Sequence, residues 1–232
     1  MKPETPVLDA PALLREVPIF AELSEELIGR IAEAGHWVEF EAGEIILGEG
    51  DYPPGMYVVA EGEVRKFLIS PKGRELTTGA EHRGGVISMV PLLDGGGYPQ
   101  FAIARTRVRL FMIPREGLEE LLATYPELSR AAIRYLARRV RELFKLVEEI
   151  SLKEVIQRLA GYLLKVSHRR GSRFELTVTQ DEIAMSLGTV REIVSRNFSR
   201  LRQLGLIEIK GREVVILDPA GLRKIAEGEP LD

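Results

Sequence analysis

The sequence has 232 residues, of which 45% are hydrophobic and 29% charged, and its formal net charge is −3, as is typical of a globular protein with one or two domains. It contains no cysteine, which excludes disulfides, thiolate zinc sites, cysteine nucleophiles and Cys-held iron–sulfur clusters. No apolar stretch is long enough to cross a bilayer, and the first ten residues lack the apolar core of a signal peptide. We therefore expect a cytoplasmic protein without a membrane partner.

Charge is distributed unevenly along the chain. From Ser151 onward there are 14 Lys and Arg against 11 Asp and Glu, which leaves 18 against 24 in the first 150 residues. The C-terminal part is therefore better suited than the N-terminal part to approach a polyanion.

The N-terminal half combines a helix with many short strands. The first predicted helix covers residues 18–35, with Ser24 as a suitable N-cap. Residues 38–113 then carry short apolar runs at 45–47, 56–60, 64–69, 101–104 and 110–113, separated by Gly, Pro and Asp. Short strands with dense turn signals indicate a small antiparallel barrel or sandwich. A short helix over 116–122 is expected to end before Pro126.

The clearest periodicity in the chain begins after this helix. Apolar residues alternate spacings of three and four, at Ile133, Leu136, Val140, Leu143, Val147 and Ile150. β-Branched residues at the a positions and leucines at d positions favour a parallel two-stranded coiled coil, so these six residues are the predicted dimerisation seam. The alternative is one long core helix packed on its own domain.

The C-terminal part follows the order of a winged helix-turn-helix. A helix over 151–167, a basic turn over 168–172 and a strand over 173–178 precede two helices. A hairpin then spans residues 206–217, with its turn at 210–212. This order predicts a DNA-binding unit.

The two helices carry specific signals. Thr179 and Glu182 have the spacing of a capping box, and Gly188 permits a tight turn between the helices. The second helix is expected over 190–203, with an inward face formed by Val194, Phe198, Leu201 and Leu204.

The opposite face of this second helix has the composition of a base-reading surface. It carries Arg191, Glu192, Ser195, Arg196 and Ser199. Arginine can pair bidentately with guanine, and a carboxylate can accept from the cytosine amine. We assign Arg200 to the same DNA-binding set, and we expect Lys210 and Arg212 at the wing tip to hold phosphates. The alternative is an ordinary solvated helix face.

At these residues the sequence resembles the Crp/Fnr family of bacterial transcription regulators. Further likenesses are Pro18-Ile19-Phe20 with Leu23-Ser24, and Met56-Tyr57-Val58-Val59 with Glu61-Gly62-Glu63-Val64. The resemblance implies an α+β fold with a cyclic-nucleotide-binding-like β-roll over 1–125, a dimerisation helix over 126–150 and a winged helix-turn-helix over 151–232. It also implies that Arg191, Glu192 and Arg196 read bases and that Thr179 contacts a phosphate.

The same resemblance implies what the protein acts with. The expected partners are double-stranded DNA, RNA polymerase and a second copy of the chain, and the expected role is activation of transcription. The expected DNA site is a palindrome with T-G-T-G-A-like halves. Because Ser195 matches the Fnr-like branch, T-T-G-A-T is the alternative half-site. The sequence assigns no identity to a small-molecule effector.

The effector site departs from the members that bind cyclic AMP. Where those members have Gly-Glu and Arg-Ser pairs, this chain has Ser88-Met89 and Pro99-Gln100, and the adenine-contacting hydroxyls match Leu143 and Phe144. An anionic phosphate needs a cation or oriented donors. We therefore expect a pocket rebuilt in apolar residues and no control by cyclic AMP. A regulator without any effector is the main alternative.

No cofactor is expected, although the ending from Gly211 to Asp218 resembles nitrogen-oxide-responsive regulators, some of which use haem. Haem needs an axial ligand, and His36, His82 and His168 are the histidines available. Their wide separation also disfavours a metal-dependent enzyme built on the β-roll. A last departure is Val190, where the family has a hydroxyl N-cap, so Thr189 is expected to cap the helix instead.

Overall fold

The computed structural model describes residues 9–230 and divides into two compact units. The N-terminal unit extends to residue 68 and resumes over 78–142. The C-terminal unit contains residues 69–77 and the chain from residue 143 onward. Residues 143–150 therefore group with the C-terminal unit, whereas the sequence-based division places them in a separate dimerisation segment.

Two short helices precede the sheets: α1 (Ala10–Glu16) and α2 (Glu25–Ala34). The sequence predicted one helix from residue 18, and this start is wrong, because residues 18–22 form turns. The helix begins after Ser24, whose Oγ accepts a hydrogen bond from the Leu27 amide at 3.3 Å. This side-chain cap satisfies one of the unpaired amides at the helix start.

Eight strands and one short helix form the β-roll. They are β1 (His36–Phe40), β2 (Ile45–Leu47), β3 (Gly55–Glu61), β4 (Val64–Ile69), β5 (Glu75–Glu81), β6 (Val86–Ile87), α3 (Met89–Asp94), β7 (Phe101–Ala104) and β8 (Val108–Pro114). One sheet has the order β1-β8-β3-β6 and the other β2-β7-β4-β5. The five predicted apolar runs coincide with β2, β3, β4, β7 and β8, while β1, β5, β6 and α3 were not predicted.

Apolar side chains fill the space inside and beside the roll. One cluster joins α1 and α2 to the sheets through buried residues such as Phe20 and Phe111, and a second contains Val59, Val64 and Leu110. Gly55 is required where β3 meets β8, since a Cβ there would lie 2.2 Å from the Ile113 carbonyl oxygen. Any larger residue would push the two paired strands apart.

Two further helices complete the N-terminal part: α4 (Arg115–Thr124) and α5 (Pro126–Leu152). The 27-residue α5 buries Leu128, Ala131 and Ala132 near its start. It then continues with an amphipathic pattern whose apolar side is largely exposed, as described below.

The C-terminal unit has the predicted winged-helix order. It consists of α6 (Val155–Arg170), β9 (Arg173–Glu175), α7 (Gln180–Ser186), α8 (Arg191–Gln203), β10 (Ile207–Lys210), β11 (Glu213–Ile216) and α9 (Pro219–Glu227). The strands form one sheet in the order β10-β11-β9. Leu159, Leu163, Phe198 and Leu222 are among the residues of its buried core.

Several local predictions in this unit were wrong. Residues 168–170 belong to α6 rather than to a turn, and β9 ends at Glu175 because only three residues pair with β11. Leu204 is 43% exposed, since it lies at the helix end while Leu201 and Leu206 occupy the core. The N-cap of α8 is Val190, not Thr189, whose amide donates to the Ala184 carbonyl in the preceding turn.

Candidate nucleic-acid interface and β-roll interior

A capping box fixes the start of α7. The Thr179 hydroxyl accepts from the Glu182 amide at 3.2 Å, and the Thr179 amide donates to Glu182 Oε2 at 2.7 Å. The same hydroxyl also lies 3.0 Å from that carboxylate. The predicted capping box is therefore confirmed, and its hydroxyl is engaged within the helix start.

We expect Thr179→Ala to destabilise the C-terminal unit by about 1 kcal/mol, the usual cost of losing a hydroxyl cap. Thr179→Ser keeps the acceptor and should leave stability close to wild type. Urea unfolding followed by circular dichroism compares the two variants, with the exposed Thr177→Ala as a control for removal of a threonine from the same loop. Equal stability of Thr179→Ala and wild type would show that the cap contributes nothing.

A tight turn joins α7 to α8. Gly188 adopts a φ of +64°, in the left-handed region that favours glycine. The Leu187 amide still bonds to the Ile183 carbonyl, so the chain turns directly after the last helical residue. This turn directs α8 away from α7 in a helix-turn-helix arrangement.

The two faces of α8 differ in burial, as predicted. Val194, Phe198 and Leu201 are buried in the core. Arg191, Glu192, Ser195, Arg196 and Ser199 are exposed and line one shallow depression of about 400 Å³. The fold thus brings all five predicted base-facing residues onto a single accessible surface, which we call the α8 face.

Most polar groups of the α8 face are available to a ligand. Arg191 lies 3.4 Å from Asp181 at an exposed position, and such pairs contribute little. The Ser199 hydroxyl donates back to the Ser195 carbonyl. Within residues 9–230, the side chains of Glu192 and Arg196 make no hydrogen bond or ion pair. A guanidinium and a carboxylate that face solvent unpaired, one turn apart, are suited to read base edges.

Basic residues flank this face. Arg200 is exposed on the last turns of α8. At the wing tip, Gly211 turns the chain with a φ of +61°, and Lys210 is exposed beside Glu208 at 3.1 Å. Arg212 is partly committed, because its Nε donates to the Leu176 carbonyl at 2.9 Å. Lys210 is therefore the freer of the two proposed phosphate ligands.

The predicted effector residues differ widely in burial. Met89 is buried in the core, Pro99 is exposed, and Leu143 and Phe144 are 54% and 70% exposed. Ser88 has a φ of +68°, and its hydroxyl donates to the Gly55 carbonyl at 2.7 Å. This φ lies in the left-handed region, which favours glycine over residues with a Cβ.

Besides its apolar core, the roll buries a group of charged side chains that the sequence analysis did not predict. The Lys66 ammonium, on β4, pairs with the Glu81 carboxylate, on β5, and the side chains are only 5% and 11% exposed. Arg139, on α5, reaches the same carboxylate oxygen at 2.9 Å. We call these three residues the Glu81 cluster.

Polar side chains surround the Glu81 cluster. Burial, with a smaller contribution from Glu81, raises the pKa of the Tyr135 hydroxyl to about 12. Burial likewise raises the pKa of Tyr98. Gln100, one of the predicted effector residues, accepts a hydrogen bond from Thr78. The strand alternation of β4 could have predicted that Lys66 is buried. Lys66 lies two residues after the buried Val64 and therefore on the same face of the strand.

The three histidines are exposed and belong to different parts of the chain: His36 to β1, His82 to the turn after β5 and His168 to α6. In the part of the chain that the structure describes, no group of three or more His, Asp or Glu side chains is placed to hold a metal ion. Nor does any helix described there have the length and hydropathy of a membrane span.

The fold and the exposed α8 face define a winged helix-turn-helix DNA-binding regulator. Comparison with known families supports this class: residues 157–225 match the Crp-like helix-turn-helix domain, and residues 37–125 match the cyclic nucleotide-binding domain. The transcriptional activator protein FnrA of Stutzerimonas stutzeri is 33% identical over 192 residues, covering 80% of this chain and 78% of the relative. The chain belongs to the Crp/Fnr family of transcriptional regulators.

Other relatives match over a longer part of the chain. The CRP-like cAMP-activated global transcriptional regulator of Mycobacterium tuberculosis is 27% identical and covers 92% of this chain and 98% of its own length. Among solved structures, a CRP/FNR-family transcriptional regulator from Thermus thermophilus has a TM-score of 0.65 at 28% identity, covering 84% of this chain and all of the other. FixK2 from Bradyrhizobium japonicum shares the fold, with a TM-score of 0.67 at 22% identity. The match covers 85% of this chain and 98% of FixK2.

Proposed function

We propose that this regulator binds a palindromic DNA site as a homodimer, with Arg191 and Arg196 each on a guanine and Glu192 on a cytosine amine. The observation that carries the proposal is the α8 face, where these groups are exposed together on the first two turns of the helix. The N-terminal part of a recognition helix is the part that meets base edges in the major groove. Lys210, Arg200, Arg212 and Thr179 then contact phosphates, which position the protein without reading sequence.

The second half of the proposal is the dimer. Two-fold symmetry of the protein requires a two-fold site, whose half-site centres are about 34 Å apart, or one helical turn. T-G-T-G-A is the expected half-site and T-T-G-A-T the alternative, distinguished by the outer bases that Ser195 faces. The regulator acts in the cytoplasm and activates transcription through RNA polymerase, in line with the activator named among its relatives.

The proposed regulator is not controlled by cyclic AMP, although one relative is named for that control. Pro99 has no donor to offer and is exposed, and Met89 is buried in the apolar core. Lys66 and Arg139 are both already paired with Glu81. A cyclic phosphate would therefore find no free buried cation among these positions. This pairing favours the alternative of a regulator without an external effector.

Selection of DNA duplexes from a random pool tests the palindromic site and the independence from cyclic AMP. The purified protein should enrich one palindrome, and cyclic AMP at millimolar concentration should leave both the enriched site and its affinity unchanged. Isothermal titration calorimetry provides the direct control, because micromolar, stoichiometric binding of cyclic AMP would contradict the proposal. Enrichment of an asymmetric site would contradict the two-fold arrangement instead.

A further inference from the structure

The Glu81 cluster places two cations on one buried carboxylate. Lys66 Nζ and Arg139 Nη2 both bond to Glu81 Oε1, and their residues lie 15 and 58 positions away in the chain. Arg139 also pairs with Glu142 at 2.7 Å, but the Glu142 side chain is 60% exposed. Within the roll, Glu81 is therefore the anion that neutralises these two cations.

Two positive charges that lie close together at low dielectric repel each other strongly unless an anion is present. Removing one partner of a buried ion pair is far more costly than replacing the whole pair, because an uncompensated charge remains. In this cluster the carboxylate also joins strand β4 to helix α5, since Lys66 and Arg139 belong to these two elements. The carboxylate at residue 81 is thus the group through which β4 and α5 are linked by ion pairs.

Helix α5 connects the Glu81 cluster to the DNA-binding part of the chain. It continues without interruption from Arg139 to Leu152. At its end, the Arg158 guanidinium of α6 donates to the carbonyls of Glu149, Ile150 and Lys153 at 2.9–3.1 Å. A cation on the last carbonyls of a helix is favourable both as a cap and through the helix dipole, so Arg158 ties the end of α5 to α6.

We infer that Glu81 is a built-in counter-anion that holds α5 on the β-roll and keeps the regulator competent to bind DNA without an external anionic effector. The inference rests on the proposed DNA-binding function. It explains why Lys66 and Arg139 need no bound anion from solution, since Glu81 already neutralises them. It also implies a latent site: without the Glu81 carboxylate, Lys66 and Arg139 would accept a small anion with a carboxylate-like group. Formate and acetate are the probes that match the missing group in charge and shape.

The experiment uses Glu81→Ala in the full chain, with Glu142→Ala as the matched control that removes the exposed carboxylate from the same arginine. Operator affinity and the thermal midpoint are measured in chloride, and again after exchange of chloride for formate or acetate at constant ionic strength, because DNA binding depends on salt. In chloride, Glu81→Ala should lose at least tenfold in operator affinity and have a lower midpoint. Formate should restore most of the operator affinity and most of the thermal midpoint of Glu81→Ala. The affinity and midpoint of wild type and of Glu142→Ala should not change with the anion.

Two further variants keep the test decisive. If Glu81→Ala does not fold in chloride, Glu81→Gln retains the volume without the charge and should show the same loss. The double variant Lys66→Met with Glu81→Leu removes one of the two cations together with the anion, so its operator affinity and thermal midpoint should no longer respond to formate or acetate. Wild-type operator affinity for Glu81→Ala in chloride, or loss without rescue by either anion in a folded variant, would overturn the inference. So would a rise of wild-type affinity in formate.

The thermal midpoint separates this inference from the proposed function. If wild type binds no specific duplex, the proposed function fails. The part of the inference that concerns DNA binding then fails as well. Rescue of the Glu81→Ala midpoint by formate would still support the counter-anion role of Glu81 in that case. If wild type binds its operator but the variant shows no anion response, the inference alone fails.

Discussion

Replacing Arg196 by alanine should remove sequence preference as well as affinity. The Arg196 guanidinium is exposed on the α8 face and unpaired among the described residues, so its donors are free for the O6 and N7 acceptors of a guanine. Loss of such a pair costs about 1–3 kcal/mol per half-site and relaxes the preference at one base pair. For a dimer on two half-sites the loss is about 2–6 kcal/mol if the two sites are independent.

Two comparison variants separate base reading from charge. Arg196→Lys keeps the charge but lacks the planar fork, so it should retain the salt dependence and still lose base preference. Lys210→Ala, at the wing tip, should weaken all duplexes alike and reduce the slope of log affinity against log salt by about one per phosphate contact removed.

The measurement is a salt titration of wild type and the three variants on the selected palindrome and on a scrambled duplex. An Arg196→Ala variant that loses affinity equally on both duplexes, with its base preference intact, would show that α8 does not read bases through this residue. A Lys210→Ala variant with altered base preference would show that the wing reads sequence.

The α8 face was predictable because its signals are local. The capping box depends on two residues three apart, the turn on one glycine, and the exposed face on helical periodicity within thirteen residues. Each of these patterns has one simple structural reading. The failures at Leu204 and Val190 lie at helix ends, where periodicity no longer determines which side chains are covered.

The Glu81 cluster was not predictable in the same way. Lys66 and Glu81 are ordinary surface residues by type, and Arg139 lies on a helix rich in charge. Only the pairing of β4 with β5 and the course of α5 bring them together. Strand β5, Glu-Leu-Thr-Thr-Gly-Ala-Glu, has no apolar alternation and therefore gave no strand signal. Long-range pairing thus placed a charged group where the sequence alone suggested an apolar pocket.

The apolar side of α5 should be the dimer interface. Ile133, Val140, Leu143 and Val147 are between 49% and 67% exposed, and with Phe144 they lie within one stripe of the helix at 3.6 residues per turn. The other two predicted seam residues are less exposed: Leu136 is partly buried against the core of the N-terminal unit, and Ile150 is half-buried near the end of the helix. A row of large exposed hydrophobic side chains on a long helix is the usual mark of an interaction surface, and the β-branched a positions favour a parallel pair of helices.

We therefore expect the double variant Val140→Asp and Leu143→Asp to be monomeric, because four carboxylates, two from each helix, would otherwise be buried at the seam without partners. Arg141→Asp with Lys145→Asp is the matched control, with two aspartates on exposed polar positions of the same two turns, and it should remain a dimer. Multi-angle light scattering gives the oligomeric state, and circular dichroism checks that both variants retain their helix content.

The same pair of variants tests how much the dimer contributes to DNA binding. Two linked half-site contacts gain an effective concentration in the millimolar range, so separating them should lower affinity for the full palindrome by about 10²–10⁴-fold. Affinity for an isolated half-site should change little, because the α8 face is intact in both variants. Operator and half-site duplexes are compared by fluorescence anisotropy at one salt concentration. A folded Val140→Asp, Leu143→Asp protein that remains dimeric would place the interface elsewhere. A monomer that binds the palindrome as tightly as wild type would show that recognition does not require two copies.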